Sequence, residues 1–321
     1  MNEITCLDHR FSTTRRVRKV APEVVFSEIK AEKKPDDQVE TILFLSEAEG
    51  RIGQGGLRTK ACFKKSEAHR PLITVVTVVL NDEVHLEGTI LSVINQAYEN
   101  IEYIVIDGAS TDGTVDIIRK YENAIDYWVS EPDSGIYDAM NKSLILSSKD
   151  AYLIWINAGD LLNDLSFFER DYDPDIDVFF FSVIQETPEK KWIIEKTKKV
   201  DEKNIFFPRV HHQGLVVAKR AINTKYDTDF ALLSDLLFMS NLINCENIKK
   251  QYVTGVFVAT YKLGGVSDRK YFARCLEYLK LIKLMKLNLF LSFLYNYKEI
   301  FKLTLKAVVP YAAIKFIRKV I

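Results

Sequence analysis

The sequence predicts an α/β protein built on a mostly parallel sheet flanked by helices, and three observations carry that prediction. Four apolar, β-branched runs lie between residues 72 and 157, and none shows the alternating polar residues of a half-exposed strand. Strands buried on both faces belong to parallel sheets covered by helices. The segments between the runs have helical periodicity, so strand and helix alternate four times. Acids and turn formers gather just after the runs, where such a sheet binds its ligands.

"LITVVTVVLN" (72–81) is the first strand, and "EVHLEGTILSVINQ" after it sets Leu86, Ile90, Val93 and Ile94 on one helical face. "IEYIVID" (101–107) is the second strand; the helix after it opens at Ser110 or Thr111 with Asp112 in its first turn. "AIDYWVS" (124–130) is the third, followed by a helix over "YDAMNKSLILSS", and "AYLIWIN" (151–157) is the fourth. The chain then breaks at Ala158-Gly159 and presents one carboxylate, Asp160. Asp107, Glu131, Asp133 and Asp160 thus fall at strand ends. Each alone reads as a cap or turn former, but four on one rim suit a divalent cation and the hydroxyls of a nucleotide diphosphate. The first turn, "LNDEVH", has no glycine, which argues against a dinucleotide site.

Residues 1–70 read as an extension of mixed, polar, weakly periodic sequence. Within it "EGRIGQGGLR" (49–58) is too irregular for a strand or helix; without a preceding strand or a GK[ST] ending it reads as a flexible linker, not a phosphate cradle. Of 321 residues, 47% are hydrophobic and 12% aromatic, enough to fill a core. Lysine and arginine total 44 against 44 acids, so nothing calls for nucleic acid. Four scattered cysteines, with no CxxC pair, point to reduced cytosolic thiols and not to a disulfide framework or zinc site. The first twenty residues carry charges throughout and lack the apolar run of a signal peptide.

Residues 269–321 read as an amphipathic, basic, helical tail, with nine Lys/Arg against two acids from Leu276 onward. No uncharged run reaches the roughly 18 residues of a membrane-spanning helix. Two readings stay open: helices packed on the main domain with lysines in water, or a helix lying on an anionic membrane surface.

"PLITVVTVVLN", "VIDGASTDGT", "SEPDSGIYDAMNKS", "WINAGD", "HHQG", "FALLSD" and "LGGVS" occur in that order. Together they resemble the bacterial family 2 glycosyltransferases, inverting enzymes of the GT-A fold, and most closely those that build O-antigens, capsules and exopolysaccharides. The resemblance covers residues 71–268. It implies a Rossmann-like GT-A domain there, a nucleotide-sugar donor with a UDP-sugar favoured, a glycan or lipid-linked acceptor, and a location in the cytoplasm or on the inner face of its membrane.

Residue by residue, the resemblance puts Thr77, Val79 and Asn81 along the nucleotide pocket with Glu87 nearby. It puts Asp107 on the base or ribose and has Asp133 shape the donor site. Relatives often carry a second acid where this chain has Gly108. Asp160 matches the last acid of a DXD-type motif and would hold Mg²⁺ or Mn²⁺ against the diphosphate, although Gly159 stands where relatives commonly have another acid; phosphate oxygens and water would complete the shell. Asp235 matches the base that takes the acceptor proton, with Asp229 in reserve; by pattern alone Ser234-Asp235 could simply open an apolar helix. His212, with His211, and Gln213 fall on the acceptor side. Gly264 and Gly265 belong to a loop that closes near the donor. Asp138 and Asn141 read equally as helix-entry residues, and Lys142 as a solvated lysine or a diphosphate contact. The two glycines keep open a non-catalytic sugar-nucleotide-binding or scaffold protein as the alternative.

Overall fold

The computed structural model describes residues 4–31, 39–186, 191–194, 211–262 and 270–285. In chain order its strands are β1 (Ile4–Thr5), β2 (Val17–Lys19), β3 (Gly53–Gly55), β4 (Cys62–Phe63), β5 (Ile73–Val79), β6 (Ile101–Asp107), β7 (Tyr127–Ser130), β8 (Tyr152–Trp155), β9 (Leu161–Leu162), β10 (Val178–Glu186), β11 (Lys191–Ile194), β12 (Leu215–Ala218) and β13 (Lys250–Lys262). The helices are α1 (Pro22–Ala31), α2 (Leu86–Ile94), α3 (Thr114–Lys120), α4 (Ile136–Leu146), α5 (Phe167–Arg170), α6 (Ser234–Asn244) and α7 (Tyr271–Leu284).

The main sheet runs β3-β7-β6-β5-β8-β12-β10-β13-β9, with β11 on β10. The four strands read from the sequence are its parallel heart, β7-β6-β5-β8. Strands β12 and β10 extend it antiparallel, and β13 then pairs parallel with β10. Every residue of β5 and β6 is buried, and the two-residue period of a strand divides them between two cores. Val76, Val78, Ile104 and Ile106 meet α4 and α6 on one face, whereas Ile73, Val75, Tyr103 and Val105 meet α2 and α3 on the other.

Glu49–Arg58 is not a linker. Gly53–Gly55 forms the edge of the main sheet, antiparallel to β7. Its glycines are packing residues: a Cβ on Gly55 would stand 2.6 Å from the Trp128 indole nitrogen, and Gly56, at φ +104, would place one 2.7 Å from the Ile125 carbonyl oxygen. The sequence gives no hint that an indole 73 residues further on, at Trp128, occupies that space.

Two buried ion pairs fasten the same N-terminal segment to the strand starts. Arg58 Nη2 lies 2.7 Å from Glu102 Oε1, with both side chains almost fully buried. Glu102 also accepts from Thr74 Oγ1 and from the Ser148 amide and hydroxyl. Lys64 Nζ lies 2.6 Å from Asp126 Oδ2, which in turn accepts the Tyr103 amide. Charges taken out of water this completely hold their place only while paired. Arg58→Ala strands the Glu102 carboxylate, and we expect a loss of roughly 3–5 kcal/mol in denaturant unfolding; a loss under 1 kcal/mol would show the segment to be dispensable to the fold.

The start of the tail packs on the domain. Tyr278, Leu281 and Ile282 of α7 are buried, while Phe272, Leu276 and Leu279 form an exposed apolar stripe. Residues 286–321 lie outside the described residues.

Candidate active site

The parallel strands all end on one rim, and Asp107 organises it. Its Oδ2 accepts the Ser110 amide at 3.0 Å and the Ser130 hydroxyl at 2.5 Å, and its Oδ1 accepts the Ser110 hydroxyl. Ser110 Oγ in turn accepts the Asn81 amide at 2.7 Å. One carboxylate therefore ties the ends of β5, β6 and β7. This corrects the expectation that Asp107 contacts the base or ribose: the residue is 0% exposed and its oxygens are occupied by protein donors. Because Ser110 turns back to Asp107, α3 opens later than the sequence suggested, at Thr114, with Asp112 Oδ1 accepting the Thr114 amide.

Other expected pocket residues separate in the same way. Thr77 is buried, donating to the Ile156 carbonyl and accepting from Tyr103 Oη, and Val79 is a core residue. Glu87 faces α3, where Lys120 Nζ at 2.6 Å and Tyr121 Oη at 2.7 Å hold it, away from the strand ends. Glu131 sits between Arg51 at 2.6 Å and Lys142 at 2.8 Å. Burial works against its charge, and the two cations more than offset that, so its carboxyl lies below the usual range. Lys142 is thus a partner of Glu131. Asn141 Nδ2 and Oδ1 latch the Tyr226 backbone, and Asp138 accepts the Ser134 amide.

What stays open at the rim is Asn81, at φ 51 with Oδ1 accepting the Thr111 amide, and Asp133. Asp133 Oδ1 accepts the Gly135 amide at 2.8 Å, and burial raises its carboxyl above the ordinary value.

The chain passes from β5 outward to β6 and β7, then returns to place β8 on the other side of β5. Ligands of open α/β sheets bind at such a reversal, and the Asn157–Asp160 turn stands there. Thr89 of α2 pins it from both sides, accepting the Gly159 amide at 3.0 Å and donating to the Asp160 carbonyl at 2.8 Å. Gly159 has φ +92, a region that side chains avoid, which is a backbone reason for glycine where an acid was anticipated. Asp160 Oδ2 accepts Gln213 Nε2 at 2.7 Å and Oδ1 accepts the Lys262 amide at 3.2 Å. Burial raises its carboxyl to about 6 despite those two donors.

Gln213, expected on the acceptor side, therefore serves Asp160, and its own Oε1 is buried without a partner. An unmatched amide oxygen beside one carboxylate is a hard-oxygen pair that fits Mg²⁺ or Mn²⁺ with phosphate and water completing the shell. Among the described residues no cluster of three or more His, Cys, Asp or Glu could hold an ion by itself. Sequence reasoning missed Asp82: its Oδ2 lies 3.7 Å from where a Cβ on Gly159 would stand, and its Oδ1 lies 2.6 Å from His85 Nδ1. The available signal was its place in the turn after β5.

Asp235 stands in the first turn of α6. Its Oδ1 accepts Tyr137 Oη at 3.0 Å and the Leu236 amide at 2.9 Å, and burial raises its carboxyl above the ordinary value. It is not the cap of the preceding loop, because Glu277 of α7 accepts the Ala231, Leu232 and Leu233 amides at 2.7–3.0 Å. Tyr137 stacks on Tyr226 at 5.7 Å, and Tyr226 Oη meets His212 Nε2 at 3.1 Å. His212 is buried against Trp155, and burial lowers its pKa to about 4, so it is neutral near pH 7. Contacts thus run from Asp235 through Tyr137, Tyr226 and His212 to Gln213 and Asp160. Asp229, the reserve base, is a surface residue with its side chain 83% exposed. Gly264 and Gly265 lie outside the described residues.

Residues 74–223 match the sequence profile described as Glycosyl transferase family 2. That stretch, just under half of the chain, is similar to this family. An uncharacterized glycosyltransferase of Mycobacterium tuberculosis is 44% identical over 86 residues, 26% of this chain and 32% of that protein. TuaG of Bacillus subtilis, a glycosyltransferase named for teichuronic acid biosynthesis, is 34% identical over 94 residues, 28% of this chain and 37% of its own. A PGL/p-HBAD biosynthesis glycosyltransferase of M. tuberculosis is 24% identical over 212 residues, 62% of this chain and 80% of that protein. The first two matches span only about a third of those relatives' length. Among solved structures, S. aureus TarS superposes with a TM-score of 0.50 at 15% identity, over 66% of this chain and 40% of that one, a likeness of fold.

Asp160 is held at a cost to stability. A carboxyl whose folded pKa is raised to about 6 binds its proton more tightly folded than unfolded; its penalty grows as pH rises from the unfolded value toward 6 and is complete above it. Asp160→Asn, whose amide can pair with the unmatched Gln213 oxygen once Gln213 turns over, should stabilise the protein at pH 8 on the order of 2 kcal/mol and much less at pH 4.5. Equal shifts at both pH values would refute the assignment.

Proposed function

We propose that this protein transfers a sugar from a nucleotide-diphosphate donor to a hydroxyl of a glycan acceptor, inverting the anomeric carbon. The observation that carries the reading is a pair of separately held carboxylates, buried Asp160 at the strand reversal and partly buried Asp235 on α6, joined by one run of contacts. Asp235 takes the acceptor proton as the hydroxyl attacks: burial makes it a stronger base than a free carboxylate, and Tyr137 fixes its orientation. Asp160 and the Gln213 amide oxygen are the groups that would hold Mg²⁺ or Mn²⁺. When bound, that ion supplies positive charge against the departing diphosphate. Neutral His212, wedged under Trp155, keeps the wall between the two acids rigid and is no rival base.

Relatives named for teichuronic acid and PGL/p-HBAD biosynthesis support a surface-glycan acceptor. A lipid-linked acceptor fits the exposed Phe272, Leu276 and Leu279 stripe and the lysine-rich sequence after it, which together suit the anionic inner face of the cytoplasmic membrane. Cutting the chain after Met285 keeps Glu277 and should abolish co-sedimentation with anionic liposomes; unchanged sedimentation would remove the tail from that role.

The deciding experiment is calorimetric binding of UDP-, GDP- and dTDP-sugars with Mn²⁺ and then with EDTA. One donor should bind only with metal. Asp160→Ala should abolish that binding, whereas Asp235→Asn should leave it intact and lower turnover roughly 10³-fold. Equal loss of binding in both variants would overturn the division of roles.

A further inference from the structure

We propose that Arg274 of α7 binds an oxyanion of the acceptor close to the hydroxyl that receives the sugar, and that this oxyanion is the phosphate of a lipid-linked acceptor. The assignment rests on Asp235 as the base proposed above.

Arg18, Arg51 and Arg58 each hold a carboxylate, on Glu28, Glu131 and Glu102. Arg274 holds none. Its Nε is buried without a hydrogen-bond partner, and its guanidinium makes no ion pair among the described residues. Glu277, one turn further along α7, accepts the Ala231, Leu232 and Leu233 amides. Residues three apart share a helical face, so Arg274 stands over the loop that leads into Asp235. Burial dominates the Asp235 carboxyl, and Arg274 is among the charges that work against it. The two nonetheless form no ion pair, and Asp235 Oδ1 is served by Tyr137 and the Leu236 amide. A guanidinium cannot shed its proton, so a buried donor on it costs stability until an acceptor meets it. No group of the protein does so.

The planar fork of arginine matches the oxygens of a phosphate or a carboxylate. Its place beside the base gives that anion to the acceptor, since the donor diphosphate belongs to Asp160 at the other end of the run of contacts. The outer side of α7 selects between the two anions. Phe272 and Leu276, two positions either side of Arg274, lie on the opposite face and are exposed, with Leu279 beyond them. The helix thus offers an apolar outside and an unmatched cation inside. A lipid-linked acceptor has the same order, with its chain first, then phosphate, then sugar. A uronic acid would satisfy the guanidinium but leave the stripe without a use. Because Arg274 and Asp235 are neighbours, the receiving hydroxyl lies on a sugar close to the phosphate, so the transfer comes early in the assembly of the glycan.

The test is calorimetric binding of geranyl diphosphate, geraniol and glucuronic acid to the full chain, in EDTA so that no metal draws the diphosphate to the donor site. Arg274→Gln and Asp235→Asn are measured alongside, with circular dichroism reporting the fold. The wild type should bind geranyl diphosphate at least about tenfold tighter than either other probe. Arg274→Gln should bring that advantage to within about threefold, and its denaturant midpoint should be no lower than that of the wild type. Asp235→Asn, which withdraws a neighbouring negative charge, should tighten geranyl diphosphate about two- to threefold; an arginine that only supports the fold gives no such change. No binding of geranyl diphosphate, tighter binding of glucuronic acid, equal binding by wild type and Arg274→Gln, or loss of fold in Arg274→Gln overturns the proposal. Each of these leaves the donor and base assignments standing. Undiminished turnover in Asp235→Asn removes the base instead, and this assignment with it.

Discussion

Everything at the ligand end of this sheet depends on the occupancy of Asp107. A carboxylate at 0% exposure persists only if its oxygens are met by donors. Here they come from Ser110 in the loop after β6 and from Ser130 at the end of β7, while Ser110 also receives the β5 loop through Asn81. Three strand ends are thereby locked in one plane by one acid. The cost is that Asp107 cannot also face a ligand.

The opposite end of the sheet is held by different physics. Arg58 with Glu102, and Lys64 with Asp126, are charges buried at the strand starts. Such pairs add little net stability over an apolar core but are severe when broken, so they act as registration devices for the segment that carries them. Together with β3 on the edge of β7 they make the N-terminal segment part of the sheet. The rim bearing Asp133 and the strand starts bearing Glu102 are thus fixed independently, one by hydrogen bonds to a carboxylate and the other by ion pairs.

Much of this was legible in the residues. β6 occupies Ile101–Asp107 as read, and β5, β7 and β8 lie inside their apolar runs, because unbroken β-branched sequence has few alternatives to a doubly covered strand. Asp160 could be singled out because it ends an apolar run, whereas Asp235 stood out only through the family resemblance. What could not be read was which way an acid turns once folded. Asp107 and Glu87 look as available as Asp133, and the difference lies in Ser130, Lys120 and Tyr121, partners 23 to 34 residues away. The glycines at 53–56 misled for the same reason: they read as freedom, but Trp128 and the Ile125 carbonyl leave no room for a side chain.

Glu277 carries a consequence for the order in which the protein is built. The contacts that close the rim, from Asn81 to Ser130, are complete in the first half of the chain. The loop leading to Asp235 has its amides satisfied by a carboxylate on α7, more than forty residues further on. A chain emerging from the ribosome therefore closes the Asp107 rim early and secures the Asp235 side only after α7 has arrived. The Asp107 rim thus precedes the Asp235 side in the chain.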